Sequence, residues 1–302
     1  MKKFTVILIL ASMVGALAFS AGCAKEGKSV VIASKPMTEQ YILVEILTFL
    51  IEDNTDIAVE QKMGIGGGTA NIHPAMLSGE IDMYPEYTGT GWLFVLKKDL
   101  INDPQALYEA TKEAYDQEYD ITWSGLYGFN DTFGIAMKKD LAAELGIETY
   151  SDLAAVSPGL TLGAEYDFYE REDGYPGLES VYGFDFGKKT ELDIGLKYQS
   201  ITSDEVDVIN VFSTDGRLEE AGLVVLKDDK NFFPSYYCAT LVRNDTLARY
   251  PELAGVLAMM DGMISDGEMT YMNYLVEIEN QDPKIVARDF LIEKGLYEEE
   301  SD

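Results

Sequence analysis

The sequence predicts an α/β fold in two lobes, with mostly parallel sheets. Three observations predict it. Short β-branched runs alternate with helical patterns from Ser29 onward. The alternation starts afresh near Asn130. The run Phe233–Val242 then returns the chain to the first set, ahead of a helical stretch from Thr246 to Leu296. Two crossings would join a first lobe, 29–129 plus 234–302, to a second, 130–233.

Taken in order, Ser29–Ala33 reads as a buried strand. Thr38–Glu52 reads as a helix, with Thr38 at its N-cap and Leu43, Ile46, Leu47 and Leu50 on one face. Ile57–Met63 is a second strand, the turn Gly64–Gly68 leads into a helix from Thr69 to Leu77, and Ile81–Tyr84 is a short strand stopped by Pro85. In the second set Thr132–Met137, Leu160–Gly163, Val206–Phe212 and Leu223–Leu226 read as strands. Helices are expected near Leu141–Leu145 and Ser151–Ala155. Glu298–Asp302 is an acidic tail.

The N-terminus carries its own signal. Lys2 and Lys3 precede a nearly unbroken apolar stretch, Thr5–Leu17, and small residues then lead into Cys23. That stretch is too short to span a bilayer and ends as a cleaved signal does. The small-small-Cys ending resembles a bacterial lipobox, with Ser20 where Leu is commonest, so residues 1–22 are expected to be a lipoprotein signal peptide and Cys23 the lipidated first residue. Residues 23–28 would form an anchor and linker, with the protein held on the extracytoplasmic side of the cell membrane. No later stretch is long and apolar enough to cross it. Removing residues 1–22 takes away two basic residues and no acids, so the net charge of −30 becomes −32. Nucleic acid and anionic lipid surfaces are poor partners for such a body. With Cys23 lipidated, Cys238 has no disulfide partner and reads as a buried thiol.

Catalytic chemistry finds few residues to work with. The single histidine, His73, precedes Pro74 inside a helical pattern and reads as structural; with no second His a zinc site built on His and Cys lacks ligands, and a Ser-His-Asp triad would depend on this one residue. Gly64-Ile65-Gly66-Gly67-Gly68-Thr69 lacks the Gly-Lys-Ser/Thr ending of a phosphate loop and reads as a tight turn. A secreted hydrolase using paired carboxylates stays open as an alternative, since 53 acids leave no pair distinguished. No cofactor is implied.

Aromatic residues, by contrast, recur in loops at expected strand ends: Tyr84-Pro85-Glu86-Tyr87, Asn130-Asp131-Thr132-Phe133, Phe212-Ser213-Thr214-Asp215-Gly216 and Phe232-Phe233-Pro234-Ser235-Tyr236-Tyr237. Ligands of open α/β sheets gather beyond the carboxyl ends of strands. Converging aromatic faces there would suit a quaternary ammonium, which cannot be hydrogen-bonded. Taken singly, each aromatic fits a core position at least as well.

Over nearly all of residues 23–302 the sequence resembles the substrate-binding proteins of ABC importers for glycine betaine, proline betaine, carnitine and choline. The resemblance rests on Ser34-Lys35-Pro36-Met37-Thr38-Glu39-Gln40, Gly67-Gly68-Thr69, the run Gly79 to Thr90, Arg171-Glu172-Asp173-Gly174, Ser213-Thr214-Asp215-Gly216 and Phe233-Pro234-Ser235-Tyr236. It implies a periplasmic-binding-protein-like (type II) fold with a ligand cleft between lobes, a monomer, and an ABC permease as partner. It also implies an aromatic box at Tyr87, Phe133, Phe212 and Tyr236, two of them Phe where the family commonly has Tyr. Asp131 falls beside the ammonium, and Lys35, Thr90 and Arg171 around a ligand carboxylate. Lys35 lies ahead of a helix N-terminus, which favours an anion, and Arg171 can hold a carboxylate by two parallel bonds. Choline, lacking a carboxylate, would leave these two cations without a partner, so a betaine is expected to be preferred. Other small solutes (choline, an amino acid or a polyamine) remain the alternatives.

Overall fold

The computed structural model describes residues 27–218 and 220–298. The signal-peptide and Cys23 expectations lie outside those residues.

Two five-stranded sheets are present, in the orders β2-β1-β3-β10-β4 and β7-β6-β8-β5-β9. The first contains β1 (Ser29–Ala33), β2 (Ala58–Lys62), β3 (Met83–Tyr87), β4 (Ile121–Trp123) and β10 (Cys238–Arg243). The second contains β5 (Phe133–Lys138), β6 (Thr161–Ala164), β7 (Lys188–Glu191), β8 (Val208–Phe212) and β9 (Leu223–Val225). The fold is therefore α/β with two sheets, as expected. Each sheet is mixed, however, and not mostly parallel. β1 pairs parallel with β2 and β3, and β6 with β7 and β8, but β10 runs antiparallel to β3 and β4, and β5 to β8 and β9. The antiparallel members are the strands nearest the crossings, where the chain enters one sheet on leaving the other.

Helices cover the sheets. Helix α1 (Thr38–Asn54) buries Ile42, Leu43, Ile46, Leu47 and Leu50, and packs against α7 (Asp266–Glu277) and α8 (Pro283–Glu293). Helix α2 (Thr69–Leu77) buries His73, whose ring meets Tyr115 and Tyr119 edge-on at 5.6 and 5.0 Å on α3 (Pro104–Tyr119). Burial pushes the imidazole pKa down, and the residue packs as a neutral aromatic. Helices α4 (Tyr166–Glu170), α5 (Tyr175–Tyr182) and α6 (Lys197–Thr202) belong to the second set. Ser265 caps α7 through a capping box with Glu268.

Pro85 does not stop its strand. It sits inside β3 opposite Thr240 of β10. Thr240 turns its own N–H and carbonyl to Ser124 instead, so this position requires no ladder bond from β10. On the other side β1 pairs with β3 at Ile32–Met83, two residues ahead of Pro85. The consequence is functional: β3 continues to Glu86 and Tyr87 and delivers both to the gap between the sheets. Cys238 is fully buried in β10, and burial raises its thiol pKa well above the ordinary value.

Candidate binding site between the two sheets

A cavity of about 490 Å³ opens between the carboxyl ends of β1 and β3 on one side and the ends of β5, β6 and β8 on the other. All eight residues singled out in the sequence line it: Lys35, Tyr87, Thr90, Asp131, Phe133, Arg171, Phe212 and Tyr236.

The rings are set by strand register. Phe133 opens β5 directly opposite Phe212 at the end of β8, with ring centroids 5.3 Å apart. Tyr236 meets Phe133 edge-on at 5.3 Å, and its hydroxyl donates to Asp173 Oδ2 at 2.6 Å. Tyr87 ends β3 opposite Cys238. Its hydroxyl donates to Glu39 Oε1 at 2.5 Å and accepts from Gln40 Nε2 at 3.0 Å.

The two cations are not free. Lys35 is ion-paired with Glu86, which is fully buried and also accepts from Thr69 Oγ1 at 2.8 Å, Tyr84 Oη at 3.3 Å and Tyr87 N at 2.8 Å. Arg171 spends Nε and Nη2 on Asp173, at 2.8 and 2.5 Å, and Nη2 also donates to Thr90 Oγ1 at 3.2 Å. The expectation that choline would leave Lys35 and Arg171 unpartnered is therefore overturned: each already has a carboxylate. The reason is energetic, since a buried cation without a counter-charge costs several kcal/mol.

The protein's own cations lie over three rings of the proposed box. Lys35 Nζ is 4.6 Å from the centroid of Tyr87, Arg171 Cζ is 5.1 Å from that of Phe133, and Lys197 Nζ is 4.6 Å from that of Phe212. Lys197, buried and ion-paired with Glu165 at 3.2 Å, carried no sequence signal. Nor did the wall formed by Glu165, Asp167, Glu191 and Asp193. Gly64, Gly67 and Gly68 all have positive φ, at 68°, 79° and 54°. The turn they form, read from sequence only as a tight turn, is part of the cavity wall.

Electrostatics decides what such a cavity can hold. Its lining carries Lys35 and Arg171 against Asp131, Glu165, Asp167, Glu191 and Asp193, an excess of acid even before the partners Glu86 and Asp173 are counted. Asp131 is 4% exposed, and burial beside Glu39 and Asp215 holds its carboxyl well above the usual range. A cation placed there would relieve that repulsion. Among the described residues no group of three or more His, Cys, Asp or Glu side chains could hold a metal ion, and no helix is long and apolar enough to cross a membrane.

Residues 28–293 match the family model described as the substrate binding domain of ABC-type glycine betaine transport system. The chain belongs to that family. The carnitine transport binding protein OpuCC of Listeria monocytogenes is 34% identical over 98% of this chain and 96% of its own length. The ergothioneine transport permease/ergothioneine binding protein EgtU of Helicobacter pylori is 45% identical over 90% of this chain, which spans 48% of that longer protein. A crystal structure titled glycine betaine/carnitine/choline ABC transporter superposes with a TM-score of 0.69 at 33% identity, covering 88% of this chain and 99% of that one. In this glycine betaine-type domain the cavity between the sheets lies where an interlobe ligand cleft is expected.

Proposed function

We propose that the chain is the receptor of an ABC importer for betaines, and that Cys23 carries a lipid holding it on the extracytoplasmic side. The lobes are 29–129 plus 234–302 and 130–233, and the protein acts as a monomer. It makes and breaks no bonds: a ligand touching both lobes stabilises their closed arrangement, which the permease reads. The observation that carries this reading is Asp131, a buried carboxylate with raised pKa that lines the same cavity as the aromatic cluster. A trimethylammonium head lies against Tyr87, Phe133, Phe212 and Tyr236, with Asp131 as counter-charge. The ligand carboxylate is held by Thr90, Lys35 and Arg171, sharing the two cations with Glu86 and Asp173.

A second reading concerns ligand size. A cavity of about 490 Å³ leaves space beyond glycine betaine, and the four acids Glu165, Asp167, Glu191 and Asp193 in its wall offer acceptors. Both features favour a betaine with a larger substituent bearing N–H donors, of which ergothioneine, named for the Helicobacter pylori relative, is one.

Calorimetric titration with glycine betaine, carnitine, choline and ergothioneine tests both readings. Binding of at least one trimethylammonium carboxylate is expected, and heat from none of the four would sink the proposal. Ergothioneine binding tighter than glycine betaine supports the larger ligand; the reverse order removes it. Asp131→Asn is expected to weaken binding about tenfold or more, since bonds and contacts to a charged partner contribute about 1.5–3 kcal/mol.

A further inference from the structure

Helix α1 begins Thr38-Glu39-Gln40, and two of these side chains reach the aromatic cluster from behind. Both hydrogen-bonding functions of the Tyr87 phenol are taken by consecutive residues of one helical turn, Glu39 and Gln40. The ring is thereby fixed at its far end. The second carboxylate oxygen of Glu39 accepts from Thr214 Oγ1 at 2.6 Å. Thr214 belongs to the other sheet: it lies two residues beyond Phe212, on the turn that ends β8. One carboxylate thus links Tyr87 on one wall to the loop carrying Phe212 on the other.

The same turn docks at two further points. Asn273 Nδ2 of α7 donates to the Thr214 carbonyl at 2.9 Å, and Gly216 N donates to Glu277 Oε2 at 3.1 Å. Gly216 fits only because it has no side chain. A Cβ there would stand 2.4 Å from Tyr274 N and 2.8 Å from the Asn273 carbonyl carbon, backbone atoms of α7 that cannot move aside.

We propose that Glu39 is a positioning residue that couples lobe closure to the setting of Tyr87, with the 213–216 turn as the element that docks on it. The inference rests on the reading that Tyr87 and Phe212 hold the ligand's ammonium. When the lobes part, Glu39 exchanges the Thr214 hydroxyl for water and its hold on Tyr87 loosens. When they meet, the donor from Thr214 offsets the repulsion Glu39 suffers from Asp131 and Asp215.

The test is a double-mutant cycle read by calorimetric titration with glycine betaine, carnitine and ergothioneine. Thr214→Val and Tyr87→Phe are each expected to weaken binding about tenfold, the scale for a lost hydrogen bond to a charged group. Together they should cost less than the product, because both act through Glu39. In a Glu39→Ala background Thr214→Val should cost nothing more, and Tyr87→Phe only what its remaining bond from Gln40 contributes. Glu39→Gln, which keeps an acceptor for Tyr87 and a polar partner for Thr214, should stay within a few-fold of wild type. Gly216→Ala should weaken binding about tenfold or more with an unchanged unfolding temperature, since the clash arises only on docking. Losses that multiply fully, or a Glu39→Ala protein that binds like wild type, overturn the coupling while leaving the site assignment standing. Wild-type protein that binds none of the three ligands overturns both.

Discussion

Lys35→Met is expected to destabilise the ligand-free protein by about 3 kcal/mol in urea denaturation, the low end of the range for breaking a buried ion pair. The Lys35 side chain is 9% exposed and its partner Glu86 is 0% exposed. Losing the lysine strands a carboxylate that keeps three neutral donors, from Thr69, Tyr84 and the Tyr87 amide. Those donors are why the low end is expected. Adding Glu86→Gln should recover most of the loss, because the neutral amide no longer needs a counter-charge. A single variant costing under about 1 kcal/mol would show that the pair contributes little. The double variant has a second use: it separates folding from recognition. If Lys35 also meets the ligand carboxylate, the restored protein should still bind betaines about tenfold more weakly.

The partition between what sequence revealed and what it hid follows from the range of the interactions. Strand β1 and helix α2 match their expected spans because periodicity and the flanking turns are local properties of the chain. The eight cavity residues could be named because the family resemblance rests on short contiguous motifs; seven of them lie at or near strand ends, and Arg171 follows helix α4. Their partners are another matter. Glu86 meets Lys35 across 51 positions, and Glu39 meets Thr214 across 175, so no local pattern announces either pair. Asp173 is only two residues from Arg171, yet its capture of the guanidinium depends on the turn that Gly174 N closes by donating to the Arg171 carbonyl at 3.0 Å. In a chain with 53 acids, a carboxylate that neutralises a pocket cation looks like any other. The free-cation argument against choline failed for that reason.

The ligand-free protein is expected to close as pH falls below about 7. Burial raises the Glu39 carboxyl to about 7 and the Glu277 carboxyl to about 7, and raises those of Asp131 and Asp215. Lys197 and Arg217 face the cluster, but the acids outnumber them. With the lobes apart these carboxyls return toward ordinary values near 4.5 or below, so closure without ligand takes up protons between about pH 4.5 and 7. Closure is then favoured as pH falls through that window, and the advantage is gone above it. A shift of this size on Glu39 alone is on the order of 3 kcal/mol, at roughly 1.4 per unit. Two such groups suffice to turn a minority closed form into the majority. Small-angle scattering should show the empty protein contracting between pH 8 and pH 5.5 toward the radius of gyration it has with betaine bound. The liganded protein should change little, because the ammonium supplies the charge that protons supply otherwise. An empty protein whose radius is the same at both pH values would mean the carboxylates do not hold the lobes apart. In that case the cation's part in closure would have to come from its contacts with the rings alone.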